Sequence, residues 1–211
     1  MILTLIILKS PQQVSAMKPF EEMARSRYHP YLSQEFTVYA PGVWFTAVKP
    51  YHSGIFPFLA LDLHILLRGV SCNVFFGHDL LPYNAVDHER ILLSESLEQE
   101  IKRIRRQLPH TKSHLRFQGF GNRVDIGLNA LSTLYMELLS SLTRVECDVL
   151  THLRNFQHLQ FKDPTVTKTF GLQKKVADAL NKSPVAIHHS LRSAKYPLLA
   201  ETATAMKEMM V

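Results

Sequence analysis

The chain has 211 residues, 46% of them apolar, which suits one large domain or two modest ones with a substantial core and excludes a disordered tail. Lys and Arg number 24 against 18 Asp and Glu, a formal net charge of +6 that favours polyanionic partners over basic ones and fixes nothing about catalysis. The 2 cysteines, Cys72 and Cys147, lack CxxC spacing; they exclude a disulfide framework and a cysteine-rich zinc site, and point to a reducing compartment.

The opening MILTLIILKS is apolar but too short to span a bilayer, and it has neither a basic segment ahead of it nor a cleavage signal behind it. It reads as a buried strand. Residues 17–28 form an early helix, and EFTVYA, VWFTAV and CNVFF are short aromatic or β-branched runs of strand type. Between them IFPFLALDLHILL, residues 55–67, carries Asp62 and His64 and stays below the length of a membrane span, so it reads as core, with a buried helix over 59–68. Gly42, Pro50, Pro57, Gly69 and Gly77 punctuate this region. The mixture predicts an α+β fold and no membrane association.

Over 88–108, Leu97, Ile101, Ile104 and Leu108 recur at helical spacing, and Pro109 stops the helix. Lys102, Arg103, Arg105 and Arg106 lie mostly off that stripe and, with Lys112, Arg116 and Arg123, make a basic neighbourhood. A phosphate-contact surface is one reading; a solvated face of an amphipathic helix is the simpler one. The next helical tract, 128–159, is longer than a typical globular helix and is expected to break. Thr143 and Glu146 have the spacing of a capping box, so a new helix starts there, with Val145, Val149, Leu150, Leu153, Phe156 and Leu159 on one face. The change of pattern places a boundary between 125 and 143, dividing an α+β region over 1–142 from an all-α region over 143–211. A polar connection around Pro164 follows.

The segment 171–199, GLQKKVADALNKSPVAIHHSLRSAKYPLL, is the most informative. Thr169 is placed to cap a short helix whose Leu172, Val176, Ala177 and Leu180 face inward. Asn181 then falls where the chain must turn sharply, and asparagine enters left-handed backbone geometry readily. Ser183 followed by Pro184 joins an N-cap oxygen to a proline at the first helical position. Ile187 and Leu191 supply the buried contacts of this second helix, while Ser183, Val185, Ala186, His188, His189, Arg192 and Lys195 occupy its start and exposed sides. From 171 to 195 there are 5 basic side chains, Lys174, Lys175, Lys182, Arg192 and Lys195, against Asp178 alone.

The pattern Q-x-x-V-A-x-x-L-N-x-S-x-x-x-I-x-x-x-L, from Gln173 through Leu191, resembles the bacterial helix-turn-helix DNA-binding module of transcriptional regulators and sigma-like domains. The resemblance covers 165–196, with 143–159 as a supporting helix. It implies backbone contacts from Gln173 and the early first helix, Ala177 at the helix crossing, and a recognition surface after the serine. The chain departs from the commonest pattern in placing Asn181 where glycine is frequent and Lys182 where an apolar residue is frequent. Lys174, Lys175 and Lys182 suit phosphate contact, whereas His188, His189 and Arg192 suit base edges, arginine most of all.

Other chemistries are less well supported. The 11 histidines assemble no metal motif: His152 and His158 stand six apart, and neither His110 with His114 nor His188 with His189 has a clear carboxylate companion. Asp79 in FFGHD and Asp87 in VDHE invite acid chemistry, but isolated acids at strand ends are common. Gly119, Gly121 and Gly127 lack the spacing of a phosphate cradle and read as a turn. Cys72 has no identifiable base and reads as structural. No metal or cofactor is expected.

The expectation is therefore a cytoplasmic, bacterial or phage DNA-binding protein, not an enzyme. It would bind double-stranded DNA sequence-specifically as a transcriptional regulator and act as a homodimer. Residues 1–142 would serve oligomerisation or sensing of a protein or small-molecule effector. The alternatives are a protein-interaction adaptor that keeps the helix-turn-helix scaffold, and a DNA-processing enzyme with its active site in the first region.

Overall fold

The computed structural model describes residues 2–8, 15, 17–40, 42–67, 72–78, 86–87, 90–91, 99, 102–103, 106 and 115–210. The expected helix over 88–108, together with Asp79, Arg105, His110, Lys112 and His114, lies outside the described residues or is only partly within them.

Strand β1, Ile2–Leu8, is followed by helix α1, Lys18–Tyr28, and by the strands β2, Leu32–Ala40, and β3, Val43–Val48. Helix α2, Phe56–Leu67, leads to β4, Cys72–His78. The apolar opening run becomes a central strand: β1 is antiparallel to β3 on one side and to β4 on the other, and β2 closes the far edge beside β3. This order of elements and strands is the split βαβ, ferredoxin-like arrangement. A further strand β7, Leu115–Gln118, adds parallel to β4, giving the order β2-β3-β1-β4-β7. Two short strands, β5, Val86–Asp87, and β6, Arg90–Ile91, pair separately. The fold is α+β: a mixed sheet in the first half and helices in the second.

Alternation divides the strand residues between two faces. Ile6, Leu8, Trp44, Val48, Val74, Phe76, Leu115 and Phe117 share the cluster with the helices, and Leu5, Ile7, Phe45, Ala47 and Phe75 on the other face are buried as well. Helix α2 is apolar around nearly its whole circumference, as an interior helix must be. It begins at Phe56, three residues before the expected start at Leu59. Pro57 is no obstacle, because the first-turn amides have no partner within the helix. The Phe56 ring sits 4.1 Å from that of Phe76, centroid to centroid, and so seats the helix on the sheet.

The second half consists of α3, Asn122–Ser140, α4, Arg144–Phe161, α5, Leu172–Ala179, α6, Pro184–Ser193, and α7, Tyr196–Met209. The long helical tract does break, at residues 141–143, where Thr143 and Glu146 form the expected capping box. Helix α3 starts six residues earlier than its expected beginning at Leu128. Asp125 folds back to accept the amides of Gly119 and Phe120, both at 2.9 Å, and Gly121, at φ 106°, turns the chain into the helix. One continuous buried cluster runs from Ile6 in β1 to Met206 in α7. Helix α2 touches α1, α3, α4 and α7, so the elements on both sides of residue 142 pack on it.

Candidate nucleic-acid interface

The segment leading into the helix-turn-helix is fixed by side chains of α4. Arg154 donates through Nη2 to the Pro164 carbonyl at 2.6 Å and through Nη1 to that of Val166 at 3.2 Å. Gln157 donates to the Lys168 carbonyl at 2.9 Å and to the Tyr196 hydroxyl at 3.1 Å. These bonds pin the carbonyls of the connection, that of buried Pro164 among them, and they join it to the start of α7.

Helix α5 opens at Gly171, whose φ of 76° makes the entering turn. Thr169 does not cap it through its side chain, as the sequence suggested. The reversal at Gly171 moves the N-cap two residues along, and Thr169 contributes only its carbonyl, which accepts the Leu172 amide at 3.0 Å. The inward face is as expected, with Leu172, Val176 and Ala177 fully buried and Leu180 partly so.

Asn181 adopts φ 51°, the left-handed conformation expected of it. The Lys182 amide reaches back to the Ala177 carbonyl at 2.9 Å and the Asn181 amide to that of Asp178 at 3.2 Å. This pair of bonds is a Schellman closure and satisfies the last carbonyls of α5. Lys182, at the position where an apolar residue is frequent in the resembled module, is exposed.

Helix α6 is then capped as the Ser-Pro pair implies: Ser183 Oγ accepts the Ala186 amide at 3.1 Å and Pro184 occupies the first turn. Ile187 and Leu191 are buried, and the helix packs on α4, α5 and α7. At its far end, hydrogen bonds from Ser193 and Thr143 outweigh burial and lower the Glu146 carboxyl below its usual range. The helix is therefore held at both ends.

Ser183, Val185, His188, His189, Arg192 and Lys195 are exposed, and Ala186 is half-buried. Val185, apolar yet 64% exposed, stands on the outer side with them. His188 and His189 lie edge to face with ring centroids 6.2 Å apart. Lys174 and Lys175 are exposed on α5, and Lys175 leans back to α4, Nζ to Gln160 Oε1 at 3.4 Å. Gln173 is half-buried and shares a groove with His188, Arg192 and Lys195. The structure thus brings together Gln173 and the polar side chains of α6, while Lys175 is directed toward α4.

The earlier basic neighbourhood is only partly described. Lys102, Arg103, Arg106 and Arg123 are exposed, Arg116 is half-buried, and Arg103 reaches Gln118 at 3.4 Å. Among the described residues no group of three or more His, Cys, Asp or Glu side chains is placed to hold a metal ion. Cys72 and Cys147 are buried and form no disulfide.

Two features escaped sequence reasoning. Phe170 is 96% exposed at the mouth of α5; an aromatic residue inside a polar connection was its signal. The other is a buried polar cluster behind the helix-turn-helix, in which Asp62 of α2 accepts from Arg27, Tyr28 and Arg154. An aspartate within a largely apolar run was its only mark. Burial alone would raise the Asp62 carboxyl, but Arg154 and Arg27 outweigh it and hold the group at about 2. Burial and the adjacent Asp62 raise the Tyr28 hydroxyl well above its usual value, so it stays protonated and donates, at 2.6 Å. With its members almost fully buried, this cluster joins elements and offers no surface for catalysis.

Comparison of the chain with family models, with curated proteins and with solved structures returns no match. No helix among the described residues is long and apolar enough to cross a membrane.

Proposed function

We propose that this chain binds double-stranded DNA sequence-specifically through α6 and acts as a transcriptional regulator. One observation carries the reading: α6 is capped by Ser183 and anchored by Ile187 and Leu191, and Val185, His188, His189 and Arg192 project from its unanchored side. A helix so placed behind a tight turn can enter a major groove while the preceding helix crosses the phosphate rim.

Lys174, Lys182 and Lys195 then supply the electrostatic part of binding by displacing condensed counterions, and Arg192 reads base edges, with guanine O6 and N7 its natural partners. Gln173 and the α5 amides position the module on the backbone. Two copies, as a homodimer, would address half-sites about 34 Å apart, and the sheet-bearing region would supply the subunit contact or receive an effector. A bacterial or phage protein working in the cytoplasm fits this role.

The test is recovery of fragments from a mixed genomic duplex library by the full chain, beside the Arg192→Ala/Lys195→Ala double variant. A shared site that the variant loses is the expected result. Absence of binding by the unaltered chain beyond a nonspecific control would overturn the proposal and leave the bihelical scaffold a protein-contact role.

A further inference from the structure

Between the C-terminal half of α6, the first turn of α7 and the mouth of α5 lies an open groove of about 550 Å³. That is within the size range of sites for small organic molecules. Its lining is divided in character. Leu191 and Leu198 provide an apolar strip, whereas Gln173, His188, Arg192 and Lys195 provide donors, and no acidic residue lines it. Neither Arg192 nor Lys195 has an ion-pair partner among the described residues.

Lys195 takes φ 50° at the junction of α6 and α7, the left-handed position that commonly ends a helix and that Asn181 takes after α5, and it stands at the edge of the groove.

We propose that this groove binds a small aromatic acid. Its anionic group pairs with Arg192 and Lys195, and its ring lies along Leu191 and Leu198. Cationic donors beside an apolar strip select that combination over a neutral ring or a bare inorganic anion, since each half of the ligand meets its complement. Occupancy excludes DNA, because His188 and Arg192 line the groove and also belong to the reading face of α6. This consequence rests on the DNA-binding proposal, whereas the acid site itself does not.

The experiment uses anilinonaphthalenesulfonate as probe, titrated into the full chain and followed by its fluorescence. Saturable binding to one site is expected. The double variant Lys195→Gly/Arg192→Gln keeps the left-handed turn and removes both charges, and it is expected to weaken the probe by about tenfold or more while melting at an unchanged temperature. Probe affinity that is unchanged in the variant, or equal affinity for uncharged anilinonaphthalene, would overturn the acid site. Duplex recovered from the genomic library is then added. Displacement of the probe supports the exclusion of DNA; a bound duplex that leaves the probe in place overturns that exclusion. If no duplex binds, the DNA reading falls, and variant-sensitive probe binding still supports the acid site.

Discussion

Arg154 and Asp62 form a buried ion pair that ties the helix-turn-helix to the sheet-bearing region: Nε donates to Oδ1 at 2.9 Å and Nη2 to Oδ2 at 3.3 Å. Arg27 of α1 donates to the same carboxylate and, through Nη2, to Asn155 of α4 at 2.7 Å. The remaining Arg154 bonds go to the carbonyls of Pro164 and Val166 and to Gln157 Oε1. One side chain thus holds both α2 and the segment that leads into α5. The placement of α5 and α6 thus depends on a carboxylate in the core of the other half of the fold.

Replacing Asp62 with Asn preserves its volume and removes its charge, leaving Arg27 and Arg154 buried without a counter-charge. Breaking a buried pair in this way costs about 3–5 kcal/mol, because the remaining charge loses its compensation. An unfolding free energy lowered by that amount, read from urea titration, is expected. Arg27→Met removes one guanidinium and leaves the carboxylate its Arg154 partner, so it should cost less. An Asp62→Asn variant as stable as the unaltered chain would show that Asp62 acts by packing alone.

The same carboxylate sets an acid limit on stability. Its folded-state pKa of about 2 lies below the ordinary 3.8, so on acidification the unfolded chain takes up this proton first. The contribution is complete above the unfolded value and is lost as pH falls through the folded one, and it amounts to something on the order of 2 kcal/mol. His158 acts in the same direction from a higher pH, because burial, then Arg27, Lys162 and Arg154, lower its pKa from 6.5. Urea midpoints measured from neutral pH downward should therefore begin to decline as histidine titrates and fall more steeply below pH 3.8. Subtracting the Asp62→Asn profile isolates the carboxylate, and a constant difference across the acid range would refute its assignment.

What could be read in the sequence was what closes over a few residues. Ser183 with Pro184, Thr143 with Glu146, and Asn181 at the turn each act on amides or backbone angles within their own helix end, so the residue type and spacing carry the information. The buried runs of β1 and α2 were legible for the same reason, as composition alone decides their burial. Strand order was not, since the pairing of β1 between β3 and β4 depends on where α1 and α2 return the chain. The polar cluster was equally hidden. Asp62 meets Arg27 across 35 residues and Arg154 across 92, and no local pattern announces either partner. Thr169 illustrates the opposite error: a good capping residue stood near a helix start, but the glycine two positions later chose where the helix began.

Asn181 offers a test of the turn. At φ 51° a β-branched residue meets the steric penalty that asparagine largely avoids, so Asn181→Val should destabilise the chain by about 1–2 kcal/mol. Asn181→Gly relieves that contact and adds freedom to the unfolded chain, two effects that nearly cancel. Thermal melting of the two variants should separate them in this order. A valine variant as stable as the glycine one would mean the turn has another conformation in solution.

Salt dependence distinguishes the roles proposed for the individual basic residues. A side chain that contacts phosphate releases counterions, so removing it lowers the slope of log affinity against log salt by about 1 and weakens all sequences alike. Lys174→Ala and Lys182→Ala are expected to behave in this way. Lys175 is already engaged with Gln160 at 3.4 Å, and Lys175→Ala should change the slope less. Arg192→Ala should do something different, costing about 1–3 kcal/mol on the preferred site and little on random duplex, because a base-edge contact carries the discrimination. Filter binding on both duplexes across a range of salt concentrations checks all four variants. Equal losses on the two duplexes for Arg192→Ala would move that residue from reading bases to holding the backbone.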